Sequence, residues 1–217
     1  MPASLLLVLP FTRMPAGSEL TPFLIVVCFT AGLNVYATVA LLGLFSHVGI
    51  LSLPPGLHPV ENWYVVGVCA ILFLVEFLGD KIPVFDILWN AMHTFVRIPV
   101  AGLITYAATP QLPEWERLTA TALGATIALA SHGGKTAARA AVAHSPEPFS
   151  NIGLSLGEDA MVALLLWYVG RHPYATAGVV AVALIGIAIM ARLVVRAMRN
   201  LFLETESALA KDSDTVH

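Results

Sequence analysis

The chain has 217 residues, 58% of them hydrophobic and only 12% charged, with a formal net charge of −3. A soluble domain carries about twice that charged fraction, ~25%, so the composition points to a one-domain membrane protein, in which placement of charge matters more than its sum. The absence of a basic stripe argues against nucleic-acid binding, and Cys28 and Cys69 sit in apolar runs without any metal-ligand or redox spacing.

Residues 1–18 read as an N-terminal extension, because Ser4–Leu9 lacks a basic flank and is too short for ~30 Å of hydrocarbon. Thr21–Phe45 is expected to be the first crossing. Thr30, Asn34 and Thr38 fall at i, i+4 and i+8 on it, a polar stripe for interhelical hydrogen bonds or, on the sharper reading, a cavity lining. The loop 46–62 holds Pro54 and Pro55 and no Lys or Arg. Trp63–Leu78 predicts a second crossing with Trp63 and Tyr64 as interfacial anchors, broken at Gly79. Pro83 suits the first turn of a new helix, on which Asp86, Asn90, His93 and Arg97 fall within about 60° of one another.

Val100–Thr109 completes that crossing, and Pro110 and Pro113 end it. Arg117–Ala143 predicts a long helix in which Gly124 and Ala128 permit close helix approach. His132, Lys135, Thr136 and Arg139 share one side of it, and Gly133-Gly134 is its weak point. The prolines in Ser145–Asn151 exclude continuous helix there, and Ser155-x-x-Glu158 reads as a capping box starting a helix near Leu156. Tyr174–Val195 is a full span followed by Arg196 and Arg199, and residues 201–217 read as a polar tail without fixed structure.

The expected architecture is therefore all-α and polytopic. A membrane domain over residues 19–200 crosses about six times, with interruptions near 79–83 and 145–156. Lys and Arg placement puts both termini, Lys81, Lys135 and Arg139 on the cytoplasmic side, and the loop 46–62 and the turn at 114–116 outside. Arg117 and Arg171 run against that count. Ser46-His-Val-Gly49 and Ser131-His-Gly-Gly134 form a faint internal echo, the kind of repeat that transporter folds carry.

Glu76-Phe-x-Gly-Asp-Lys-Ile-Pro83, Arg97-x-Pro-x-x-Gly102 and Ser145-Pro-Glu-Pro-x-Ser-Asn151, followed by Glu158-Asp159, carry a resemblance. Through them the chain, from about Ala31 to about Arg199, resembles a widespread bacterial integral-membrane family classed as a domain of unknown function. The resemblance implies a membrane fold, hence the bacterial inner membrane, and brings no agreed activity. Family members often carry a basic residue after Gly-Leu, where this chain has Asn34.

Ionisable residues inside apolar spans mark functional sites by default. Lys81, Arg97, His132, Lys135, Arg139 and Asn151 are candidates for binding an anion. Glu76, Asp80, Asp86, His93, Glu158 and Asp159 are candidates for proton coupling or charge pairing. Plainer roles compete: a local pair for Asp80 and Lys81, a helix-dipole acid at Asp86, a cap at Glu158 and topogenic charge at Lys81, Lys135 and Arg139. No H-E-x-x-H, G-x-S-x-G or Walker A pattern occurs, so no catalytic residue, cofactor or metal is assigned. The expected activity is secondary transport, or lipid translocation, of a phosphate- or carboxylate-bearing anion with proton coupling. Membrane lipids and a second copy of the chain are the expected partners. The alternatives are a non-transporting scaffold and an oligomeric channel. A closed, fully paired charge cluster would favour the scaffold, and a polar cavity reaching both faces would favour transport.

Overall fold

Asn34 interrupts the first apolar run. The computed structural model describes residues 18–79, 83–142 and 148–214, with side chains outside 83–91, 140–152 and 201–214. Helix α1 covers Leu20–Leu33 and helix α2 covers Val35–His47, with Asn34 extended between them (φ −152°, ψ 100°). The Asn34 side chain caps α2 by accepting from Ala37 N at 2.9 Å, which satisfies one of the free donors of the first turn. Thr30 and Thr38 bond back to the carbonyls of Val27 and Asn34 at 3.0 and 2.8 Å. The stripe expected along one continuous helix is therefore a helix break flanked by two self-bonded threonines.

The remaining helices are α3 (Trp63–Gly79), α4 (Pro83–Ala108), α5 (Glu114–Val142), α6 (Pro148–Val169) and α7 (Pro173–Asp214), with a 3-10 helix at Pro55–Glu61. No strand occurs among the described residues. Pro83, Pro148 and Pro173 each occupy the first helical position, where a missing N–H costs nothing. For that reason α6 begins at Pro148 rather than near Leu156, and Ser155-x-x-Glu158 lies inside the helix instead of capping it. Gly133-Gly134 does not break α5. Gly134 instead lets α7 approach, since a Cβ there would lie 2.7 Å from Ile187 Cδ1. Helix α7 continues through residues 201–214, where a tail without fixed structure was expected. That stretch holds three Leu, two Glu and two Ala, all good helix formers.

The chain reverses at Asn34. Cys28 lies against Thr105 and Gly124, and Gly32 against Ala128 and Ser131, so α1 runs parallel to α5. Gly43 lies against Val60 and Val66, and His47 stacks on Trp63 at 4.2 Å, so α2 returns antiparallel to α3. Three contacts tie the two ends of this hairpin to one end of the molecule. Tyr174 donates to the Ser18 carbonyl at 2.9 Å, Gly170 packs on Ile50 and Leu51, and Gly56 packs on Ala107. Segment 18–20, the loop 46–62, the α4–α5 turn and the α6–α7 turn therefore share that end. At 1.5 Å per residue the hairpin tip lies about 20 Å from it.

This corrects the single continuous helix expected over Thr21–Phe45. The described residues begin at the end where α7 starts, and α7 runs away from that end. Both arms of the hairpin form the core. Eleven of the 14 residues of α1 are buried, among them Val26 and Val27 at 0% exposure. By length and apolarity, Pro173–Asn200 is long enough to cross a membrane alone, and the 3-10 helix with α3, joined at a 64° bend, makes a second such segment if counted together.

Candidate functional site

Arg97 and Glu76 are both fully buried, and they face each other between α4 and α3. Arg97 Nη2 donates to Glu76 Oε1, and Nη1 donates to His132 Nδ1 at 2.8 Å. A guanidinium has no acceptor, so Nδ1 must accept and the ring proton sits on Nε2. That Nε2–H donates to Thr94 Oγ1 at 2.7 Å. His132 is thus a neutral group that orients Arg97, not a cation. Nearby, His93 Nε2 and the Tyr36 hydroxyl are 2.8 Å apart, with the rings edge-on at 5.4 Å.

Lys135 reaches the hairpin tip. Its Nζ donates to the Leu33 carbonyl, at the C-terminus of α1, at 3.0 Å. The same Nζ is 3.2 Å from Glu158 Oε2 and 3.7 Å from Glu76 Oε1. Arg139 Nη2 lies 2.8 Å from that Glu158 oxygen. Across the break, Asn34 Nδ2 donates to Asp159 Oδ1 at 3.0 Å. The placement obeys helix electrostatics: a cation meets the carbonyl end of α1, and a carboxylate meets the N–H end of α2.

Three cations, Arg97, Lys135 and Arg139, and three carboxylates, Glu76, Glu158 and Asp159, thus gather at the hairpin tip. All but Asp159 fall among the buried residues, and Asp159 is half-buried. Glu76 Oε2 and Arg97 Nε are buried without a hydrogen-bond partner among the described residues. Native interiors leave few polar groups in that condition. Among the described residues no cluster of His, Cys, Asp and Glu could hold a metal.

Of the residues singled out from the sequence, Glu76, His93, Arg97, His132, Lys135, Arg139, Glu158 and Asp159 come together around the hairpin tip. Asp80 and Lys81 lie outside the described residues. Asp86 and Asn151 are on α4 and α6, with side chains outside the described ones. Glu158 is not a helix cap, since its carboxylate is held by Lys135 and Arg139. Sequence reasoning missed the break at Asn34, Tyr36, Thr94 and the Leu33 carbonyl. Gly32-Leu33-Asn34 carried a signal for the break, because Gly and Asn mark helix ends and Asn is a favoured N-cap.

A second polar group lies at the end of the molecule where the hairpin opens. Glu61 accepts from Ser46 Oγ at 2.6 Å and pairs with His58 Nδ1 at 2.9 Å, while His47 Nε2 sits 2.6 Å from the Glu61 carbonyl. The hydrogen bond from His58, followed by that from Ser46, holds the Glu61 carboxyl below the usual range.

The family model of the domain of unknown function DUF4126 matches residues 23–193, from the hairpin through most of α7. No curated protein and no solved structure matches the chain.

Proposed function

Since the chain belongs to the DUF4126 family, which is defined without an activity, we propose a function from the site: a polytopic membrane transporter, seen closed, for a small phosphate- or carboxylate-bearing anion. The membrane reading is supported by an inside-out distribution of polarity. The charges are buried, whereas Ile71 and Leu74 of α3, Phe95 and Leu103 of α4, Leu123 of α5, Leu164 of α6 and Val182 and Ile185 of α7 are exposed. Soluble monomers rarely expose large apolar side chains on so many neighbouring helices. On this reading α3–α7 cross and α1–α2 is re-entrant. Non-crossing backbone at membrane depth is tolerated where protein surrounds it, and the burial of α1 meets that condition. Arg192, Arg196 and Arg199 put the far end of α7 in the cytoplasm, with the opening of the hairpin on the outer face of a bacterial inner membrane.

The observation that carries the transport reading is the hairpin tip itself. A helix broken at membrane depth, with free backbone ends facing charged side chains, is how transporters build solute sites. Here the N–H end of α2 and three cations converge. An incoming anion would compete with Glu158 and Glu76 for Lys135 and Arg139, and protonation of the displaced carboxylate would keep the interior neutral. That exchange is the proposed proton coupling.

A second reading, the scaffold, is favoured by one specific observation: Arg97, Lys135 and Arg139 are each paired with Glu76 or Glu158. The two readings separate in proteoliposomes loaded for uptake of radiolabelled inorganic phosphate or succinate. Arg139→Gln/Glu158→Gln removes one buried pair without leaving a lone charge. Transport requires this variant to lose uptake while keeping its melting temperature, with exposed Arg199→Ala unaffected. Wild-type protein that takes up neither probe under an imposed proton gradient leaves the scaffold reading in place.

A further inference from the structure

Arg171 opposes the charge asymmetry that orients the chain, so topogenesis does not explain it. Arg117, the other exception, is held internally: its guanidinium lies 3.4 Å over the Tyr106 ring and Nε donates to the Tyr106 carbonyl at 2.8 Å. Arg171 is exposed, stacks at 4.4 Å over the Trp167 ring and has no acidic partner among the described residues. Exposed His172 follows it, 4.8 Å from the Tyr168 ring.

Directly below Arg171 the outward face of α6 carries an apolar groove of about 390 Å³. Gly157, Ala160, Met161, Leu164, Leu165, Trp167 and Tyr168 line it, and Arg171 stacks on Trp167 at one end of that series. A Cβ at Gly157 would meet nothing within 4 Å, so no neighbouring helix covers that position. From Gly157 to Tyr168 it runs about 16 Å at 1.5 Å per residue, close to the ~15 Å depth of one leaflet's hydrocarbon. Trp167 and Tyr168 then sit where aromatic rings mark the headgroup boundary.

We infer that this groove, separate from the ion-pair network, binds one anionic phospholipid of the outer leaflet, its acyl chain along Gly157–Leu164 and its phosphate on Arg171. The inference rests on the membrane reading proposed above. Charge complementarity and leaflet depth select a lipid over a second copy of the chain. A two-fold axis along the membrane normal would bring two Arg171 guanidiniums to the same level, side by side, a like-charge contact.

The test uses the full chain in vesicles of phosphatidylcholine doped with brominated phosphatidylglycerol or brominated phosphatidylcholine. Quenching of Trp167 is isolated by subtracting the Trp167→Phe variant. The expected result is half-quenching of Trp167 at about fivefold less brominated phosphatidylglycerol than brominated phosphatidylcholine, the preference one basic group at a membrane surface confers. Arg171→Gln should abolish the preference, and so should Gly157→Leu, which fills the groove while leaving Arg171 in place. Equal quenching by both lipids, or a preference that survives Arg171→Gln, overturns the site. Quenching of the other tryptophans but not of Trp167 assigns the groove to a second copy and overturns it too. If no tryptophan is quenched, the membrane reading itself fails.

Discussion

Replacing Glu76 by Gln is the sharpest test of the buried network. The amide keeps the shape of the side chain and removes only its charge. Arg97, at 0% exposure, then loses its carboxylate, and Lys135, 3.7 Å from the same oxygen, loses one of its two. Breaking a buried pair on one side costs about 3–5 kcal/mol, because the remaining charge cannot return to water. For a chain of this length each kcal/mol lowers the melting temperature by about 2–4 °C, so Glu76→Gln should melt about 6–20 °C below wild type. Tryptophan fluorescence during thermal unfolding in detergent micelles measures this. Glu76→Met/Arg97→Met should recover most of the loss, since apolar replacement of a whole buried pair is near neutral. Recovery stays incomplete because His132 Nδ1 loses its donor. A Glu76→Gln protein melting within about 2 °C of wild type would mean that Arg97 has water or another counter-ion, and the closed-network argument would fail.

Gly32→Ala should lower the yield of folded protein, because its Cβ would collide with Ser131 Oγ and the Ala128 carbonyl on α5; Gly178→Ala, with nothing within 4 Å, is the control, and size-exclusion recovery distinguishes them. In a background with Cys28 and Cys69 replaced by Ala, cysteines at Ser18 and His58 should label from the same side of the membrane and one at Arg199 from the other; Ser18 labelling with Arg199 would refute the re-entrant hairpin. Glu61 has a lowered folded-state pKa, so its contribution to holding the loop 46–62 is present above its ordinary value and lost as the pH falls through and below ~4.3. Amide exchange across residues 58–63 should therefore speed up on acidification in wild type, and much less so in Glu61→Gln.

How much of the site was legible follows from the kind of signal each part carries. The periodicity that put His93 and Arg97 on one face, and His132, Lys135 and Arg139 on another, survives in the fold, since residues spaced along one helix keep their common side whatever surrounds it. The cross-element partners were not legible. Glu158 matched a capping box by spacing, and only the position of Pro148 eight residues before Leu156 shows that the helix had already begun. His132 was grouped with the cations by residue type, and its neutral state follows only from the donor that faces Nδ1.

By itself the sequence determined an all-helical chain, the start of α4 at Pro83, the close approach at Gly124 and Ala128, and the set of ionisable residues that had to find partners away from water. Each of these depends on local chemistry or on the cost of burying charge. The tertiary structure decided the direction of the chain after Asn34. Hydropathy measures how apolar a segment is and not which way it runs, so an apolar run that continues straight and one that turns back read the same. One extended residue at Asn34 made the difference. It left the Leu33 carbonyl open for Lys135 and the N–H end of α2 beside Asp159, and so assembled the polar centre from residues more than 100 positions apart.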